Sequence, residues 1–340
     1  MTHRHRYYSR NFWQACRPGA TSEAWSGWIN PLSSASELST AAQGLLSPPA
    51  LIGFACDAGV VRNYGIAGAA EGPAAIRRAM LRLALHRFPQ APVPDLGDVL
   101  CLNPEPEEAQ RNLGALVAEC RSRGYQPLVF GGGHETAWGH FQGLIPEISR
   151  KSRLAIINFD AHFDLRPSEH EKKESSSGTP FRQILEHCRK AGIKADYFCF
   201  GIQESANAAS LFRYFSEHGK LMITAAQIHE GGSQLLSTAI SKIIKSYDCI
   251  YLSICLDVFS SGCAPGVSAV QPEGIFPHHI RPAVEALLQS GRVLSSDIVE
   301  LNPAKDSHQM TARLAASLAH LILLNSHQRR DGKVSPEKAR

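Results

Sequence analysis

No stretch of this 340-residue chain approaches the roughly 20 consecutive apolar residues that a membrane span needs, so no transmembrane helix is expected. Nine cysteines are present, yet none forms a C-x-x-C pair, and most sit in apolar runs such as YFCF and DCIYL. They read as buried free thiols of a reducing compartment. Charge of one sign is also scarce: 35 Lys and Arg stand against 31 Asp and Glu, a net of +4 with the basic residues scattered. No basic track for nucleic acid follows from that distribution. The opening MTHRHRYYSR is basic but leads into FWQACRPG, without the apolar run and small-residue cleavage site of a secretory signal. A cytoplasmic protein without membrane or nucleic-acid partners is the expectation. What is present is apolar content of 44% against 19% charge, enough for a large core and too little charge for a mainly disordered chain.

Three segments are expected: an N-terminal extension over 1–48, one domain over 49–325, and a polar tail over 326–340. The first 48 residues show no sustained period. LIGFACD then reads as a buried strand bounded by Pro and by Asp-Ala-Gly. Pro73 fits a first helical position, with Ile76, Met80 and Leu83 at helical spacing. A second helix spans about Glu107 to Arg123, with Leu113, Leu116, Val117 and Cys120 on one face and Gly124 as its stop. Apolar strands and helices then alternate through PLVF, LAIINFD, ADYFCFGI, KLMIT, CIYLSICLD and VLSSDIVELN, and a helix closes the pattern from about Met310 to Leu324. Continuous apolar strands between helices imply an α/β fold, a parallel sheet covered on both faces. The charged, Ser-rich SEHEKKESSSG interrupts this pattern as a long loop, the kind that often carries function.

In such a sheet the ligand site lies beyond the carboxyl ends of the strands. Three strand ends carry metal-ligand residue types: His134 after three glycines, Asp160, His162 and Asp164 after LAIIN, and Cys255 with Asp257 after CIYLSI. In extended chain, residues two apart face one side, so D-x-H-x-D gathers its side chains around one point. The mixed O and N set suits divalent manganese, zinc or related ions, and two could be held where a carboxylate bridges.

At these residues the chain resembles the ureohydrolase superfamily of arginases and agmatinases, whose GG-x-H, DAHxD and late D-x-D read here as GGGHE, DAHFD and CLD. Within it the chain is similar to the formimidoylglutamase subfamily over about residues 50 to 325. That similarity rests on GFACDAGVVRNYG, GAAEGPAAIRRAM, DAHFDLR, SSGTPFRQI, FGIQESAN and APGVSA. The resemblance implies an arginase-like three-layer fold, a homo-oligomer, two Mn2+ per subunit, and hydrolysis of N-formimidoyl-L-glutamate to L-glutamate and formamide in histidine degradation. It further implies one metal on His134, Asp160 and Asp164 and another on His162, Asp160 and Asp257, with residue 255 bridging. Glu300 of DIVELNP matches the glutamate that accepts hydrogen bonds from the cationic end of the substrate. For the two product carboxylates, Arg166, Ser176, Ser177 and Thr179 are the candidates, by position and by the fork geometry of guanidinium.

Two residues depart from the family pattern. Cys255 stands where an aspartate is usual; a thiolate offers one soft sulfur and favours zinc over manganese. Ile66 in NYGIAGA replaces a usual arginine. The departures leave open a two-metal enzyme of altered metal preference, a slow one-metal enzyme, a metal-poor relative that binds ligand without turnover, or a ureohydrolase of another guanidino or amidino substrate.

Overall fold

A computed structural model describes residues 5–14, 23–41, 47–81, 83–168 and 175–326. Among them ten strands form one sheet: β1 (His5–Arg6), β2 (Ile29–Pro31), β3 (Pro49–Ala55), β4 (Val93–Leu100), β5 (Gln126–Phe130), β6 (Arg153–Phe159), β7 (Lys194–Ile202), β8 (Leu221–Thr224), β9 (Cys249–Cys255) and β10 (Val293–Val299). Ten α-helices accompany them: α1 (Arg10–Gln14), α2 (Ala58–Arg62), α3 (Gly72–Met80), α4 (Pro106–Ser122), α5 (Thr136–Leu144), α6 (Pro180–Ala191), α7 (Ala209–His218), α8 (Ala225–Ser246), α9 (Pro277–Gln289) and α10 (Met310–Asn325).

The sheet order is β1-β4-β3-β5-β10-β9-β6-β7-β8, with β2 also on β4, and every described pairing is parallel except that of β1. Two cores follow from the two-residue period of a strand. On β6, Ala155, Ile157 and Phe159 face one core with Ile76, Ile240, Ile280 and Leu318, while Leu154 and Ile156 face the other with Leu113, Phe141 and Ile184. The fold is therefore a single α/β domain with helices on both faces of a mainly parallel sheet. None of its described helices is long and apolar enough to cross a membrane.

Several elements depart from the sequence reading. The described part of the N-terminal extension supplies β1 and β2 to the sheet rather than only lying on it. β4, which the sequence did not suggest, carries Asp95 and Asp98 inside a strand and buries both. The buried guanidinium of Arg77 on α3 compensates them, donating to Asp95 at 2.7 and 3.0 Å and to Asp98 at 2.6 Å. Tyr8 then donates to Asp98 at 2.6 Å and Trp13 to Asp95 at 3.0 Å, so the extension is bound through the same ion cluster. Gly53 makes room for it, since a Cβ there would lie 1.8 Å from Asp98 Oδ1. Finally α8, absent from the sequence reading, runs 22 residues across a break at Gly232, where φ is 60°. Most of the charged loop, 169–174, and nearly all of the tail lie outside the described residues.

Candidate metal centre and substrate cavity

Consecutive strands β5 and β6 are separated in the sheet by β10 and β9, so the chain reverses its winding direction there and opens a crevice beyond the strand ends. The register aligns these four neighbours: Phe130 pairs with Ile298, Val299 with Cys255, and Ile254 with Phe159. One row at the carboxyl edge therefore carries the GGGHE turn, Glu300, Cys255 and Asp160. The turn needs its glycines, because a Cβ on Gly132 would sit 1.8 Å from the Cys56 carbonyl oxygen. Asp164 and Glu300 hold left-handed backbone, at φ 49° and 72°. Such conformations disfavour residues with a Cβ and occur where the surroundings over-determine them.

The donor atoms converge in two groups, each within 4.8 Å. One is His134, Asp160 and Cys255; the other is Asp160, His162 and Asp257. Asp160 belongs to both. Asp164 approaches the first, its carboxylate 2.9 Å from His134 Nδ1, while Asp160 lies 3.1 Å from the same nitrogen. His162 Nδ1 lies 3.1 Å from Asp257 and 3.6 Å from Asp160.

The orientation of His134 follows from the groups behind it. Ser253 gives its single proton to Asp297 at 2.5 Å, so its oxygen can only accept from His134 Nε2–H at 2.9 Å. Nε2 therefore keeps its proton, and Nδ1, buried and 2.9 and 3.1 Å from the Asp164 and Asp160 carboxylates, is the nitrogen whose proton a metal would replace. A ring nitrogen directed into a cluster of oxygens and one sulfur is what a metal ligand presents, and a hydrogen-bonded opposite nitrogen is the usual support for one. Behind Ser253, Asp297 also accepts from Tyr251 at 2.5 Å and bonds His140 at 2.7 Å, so the support is itself fixed. The residues present fit divalent cations.

The electrostatics agree. Burial, then Asp160, pushes the Asp164 carboxyl up to about 6, and burial with Asp160 also raises Asp257. Burial raises the Cys255 thiol well above its ordinary value, with Asp160 and Asp257 adding to it. Glu300 is raised by burial and by Glu135. Burial alone would lower both histidines, but the facing carboxylates outweigh it and hold them well up. Asp160 shifts the other way: burial would raise it, and the two histidines pull it down. Positive charge at the centre of the cluster relieves the repulsion among the carboxylates and the thiol, and takes the place of the histidine protons.

A cavity of about 330 Å³ opens onto this centre, lined among others by Asp164, Cys255, Asp257, Glu300, Arg166 and Ser177. Glu300 accepts from the His134 backbone N–H at 2.7 Å through one carboxylate oxygen. Arg166 is exposed, and no described carboxylate pairs with its guanidinium. Ser176 and Thr179 line the adjoining cavity of about 420 Å³ instead, and the Thr179 hydroxyl is engaged locally with Ser176 and Gln183. Ile66 lines the first cavity and is 52% exposed. A larger cavity of about 750 Å³ between β8 and α8 contains none of these residues.

Sequence reasoning passed over Ser253, Asp297 and Asn207. Ser253 lies two residues before Cys255 and so on the same side of β9, which was a usable signal. Asn207 ties the DAHFD turn in place, accepting from Phe163 N at 3.0 Å and donating to the Ala161 carbonyl at 2.9 Å. Only the fold brings it there.

Residues 48–324 match the family model described as "Arginase family". The chain is 40% identical over 312 residues to formimidoylglutamase of Legionella pneumophila (strain Lens), covering 92% of this chain and 94% of that protein. It is 39% identical over 276 residues to formimidoylglutamase of Geobacillus thermodenitrificans (strain NG80-2), covering 81% and 84%. Among solved structures, formiminoglutamase of Trypanosoma cruzi with Mn2+ superposes with a TM-score of 0.74 at 26% identity, over 87% of this chain and 99% of that one.

Proposed function

The chain belongs to the arginase family, and on that basis we propose that it hydrolyses N-formimidoyl-L-glutamate to L-glutamate and formamide, a step of histidine degradation. The observation that carries the reading is the convergence of two donor groups sharing Asp160 at the mouth of a polar cavity. The relatives' activity and the Mn2+ of the Trypanosoma cruzi structure support a two-metal centre, with manganese the proposed ion for the end made only of oxygen and nitrogen donors. Bound there, such ions supply Lewis acidity and make water nucleophilic at neutral pH.

The residues of the chain do the rest. His134 Nδ1, Asp160, Asp164 and Cys255 would hold one ion, and Asp160, His162 and Asp257 the other. Glu300, with one carboxylate oxygen anchored by the His134 N–H, presents its other to the amidinium end of the substrate, whose paired N–H donors and positive charge match a carboxylate. Arg166, which lines the same cavity, would take a substrate carboxylate, since a guanidinium can hold one in a two-bonded fork. Ser177 supplies a hydroxyl at the cavity wall, with Ser176 and Thr179 shaping the adjoining space. We further propose a cytoplasmic homo-oligomer with the domain bounded near residues 49 and 325.

Purified protein supplied with divalent metal is expected to release glutamate from N-formimidoyl-L-glutamate and no urea from arginine or agmatine; urea release with no glutamate would sink the assignment. In the same assay Arg166→Ala is expected to raise KM about tenfold or more with little change in kcat, because a charge-assisted bond to the substrate is lost equally from ground and transition states. An unchanged KM would remove Arg166 from the pocket.

A further inference from the structure

Cys255 falls with His134 and Asp160 in one donor group, while Asp257, to which its thiol is hydrogen-bonded, falls with His162 in the other, so the sulfur is grouped with one histidine of the centre and not with the second. The two ends differ in chemistry. At one, the His134 Nδ1 and the Cys255 Sγ meet Asp160, with Asp164 2.9 Å from the same nitrogen, a set of one nitrogen, one sulfur and carboxylate oxygens. At the other, Asp160, His162 and Asp257 offer oxygen and nitrogen alone.

We propose that the centre is built for two unlike ions: a thiophilic ion of the zinc class held by His134, Asp160, Asp164 and Cys255, and a harder ion of the manganese class held by Asp160, His162 and Asp257. The inference rests on the two-metal reading above and refines it.

Softness decides the assignment. Thiolate selects zinc-class ions, whereas carboxylate and water suit manganese. Four protein donors from one His, one Cys and two Asp are also the number and kind that zinc takes in tetrahedral sites. The second group offers three, and ions of the manganese class complete their shell with water or substrate. Burial strengthens the distinction, because Cys255 is 1% exposed and no bulk solvent replaces its sulfur as a ligand. The Ser253–Asp297 relay fixes His134 as the matching nitrogen donor. Ligation replaces the thiol proton with the metal, so the charge of the cluster stays matched to two divalent ions.

The test uses the full chain stripped of metal and reloaded with cobalt(II), with zinc, and with zinc plus manganese. A sulfur-to-cobalt charge-transfer absorption that saturates at one equivalent per chain is expected. Zinc X-ray absorption should show one sulfur at about 2.3 Å beside nitrogen and oxygen at about 2.0 Å. In the mixture, one zinc should resist excess manganese while the second position exchanges. Cys255→Ser should abolish the charge-transfer band, and Cys255→Asp should abolish it while letting manganese displace zinc from both positions. The zinc spectrum of the unaltered chain carries the test should either variant fail to fold. Two metals retained with only nitrogen and oxygen neighbours, or a band unchanged in Cys255→Ser, would overturn the unlike pair and leave the two-metal reading standing. No metal retained in any loading would overturn both.

Discussion

Asp160→Asn is expected to strip the chain of both metal ions and to lower turnover at least about a thousandfold, since metal-assisted hydrolysis supplies several kcal/mol and each 1.36 kcal/mol is tenfold in rate. Asp160 is the one residue common to the two donor groups, so a single change acts on both. An amide keeps the volume of the carboxylate but not its charge, and only one of its two polar atoms accepts. In the native side chain both oxygens accept, one from Asn158 Nδ2 at 2.9 Å and the other from the His162 backbone N–H at 2.8 Å. Asparagine must turn its NH2 group toward one of these donors, so either Asn158 or the DAHFD backbone loses its partner as the metals lose theirs. Elemental analysis should find far less than one ion per chain, with far-UV circular dichroism unchanged. Near-stoichiometric metal in the variant would refute the shared role of Asp160.

The parts of this site legible in the sequence are those where a continuous apolar strand hands over to polar residues at its end. LAIINFDAHFD and CIYLSICLD are of that kind, and both strand and ligands can be read together. What could not be read depends on contacts between distant elements. β4 was hidden because Asp95 and Asp98 interrupt its apolar pattern, and nothing local reveals that Arg77, some 20 residues earlier in the chain, makes their burial tolerable. β1 and β2 are two and three residues long and exist only as partners of β4, so missing β4 meant missing both. α8 is broken at Gly232, as the Gly231-Gly232 pair suggests, and what the sequence did not show is that the helical pieces on either side are both anchored, by Ile228 before the break and by Leu236, Ile240 and Ile243 after it, which all reach the core. The proton on His134 Nε2 is held in place by Asp297, more than 160 residues away, through one serine hydroxyl. Motif reading finds the ligands; the groups that hold them in the right protonation state belong to the fold.

The other large effect lies outside the site. Arg77→Met is expected to destabilise the chain by about 3–5 kcal/mol, the usual consequence of removing one partner from a buried ion cluster. Methionine fills much of the volume, so the loss is electrostatic: Asp95 and Asp98, both buried, keep the donors of Trp13 and Tyr8, and Asp98 keeps the part-exposed Arg6 guanidinium at 3.9 Å, but both lose their buried charged partner. The guanidinium also lies 4.4 Å from the Tyr8 ring centroid, a contact that methionine cannot reproduce as a cation. Because Tyr8 and Trp13 belong to the N-terminal extension, the variant should weaken its attachment before the rest of the domain opens. Urea titration gives the first quantity, and hydrogen exchange over residues 5–14 gives the second. A loss below about 1 kcal/mol, the size of an ordinary point substitution, would mean the two aspartates find other partners or protons. Unchanged exchange over 5–14 alongside a large loss would place the effect in the packing of α3 on the sheet. The expected pairing of the two results follows from one geometry, in which a single arginine joins α3, β4 and the extension.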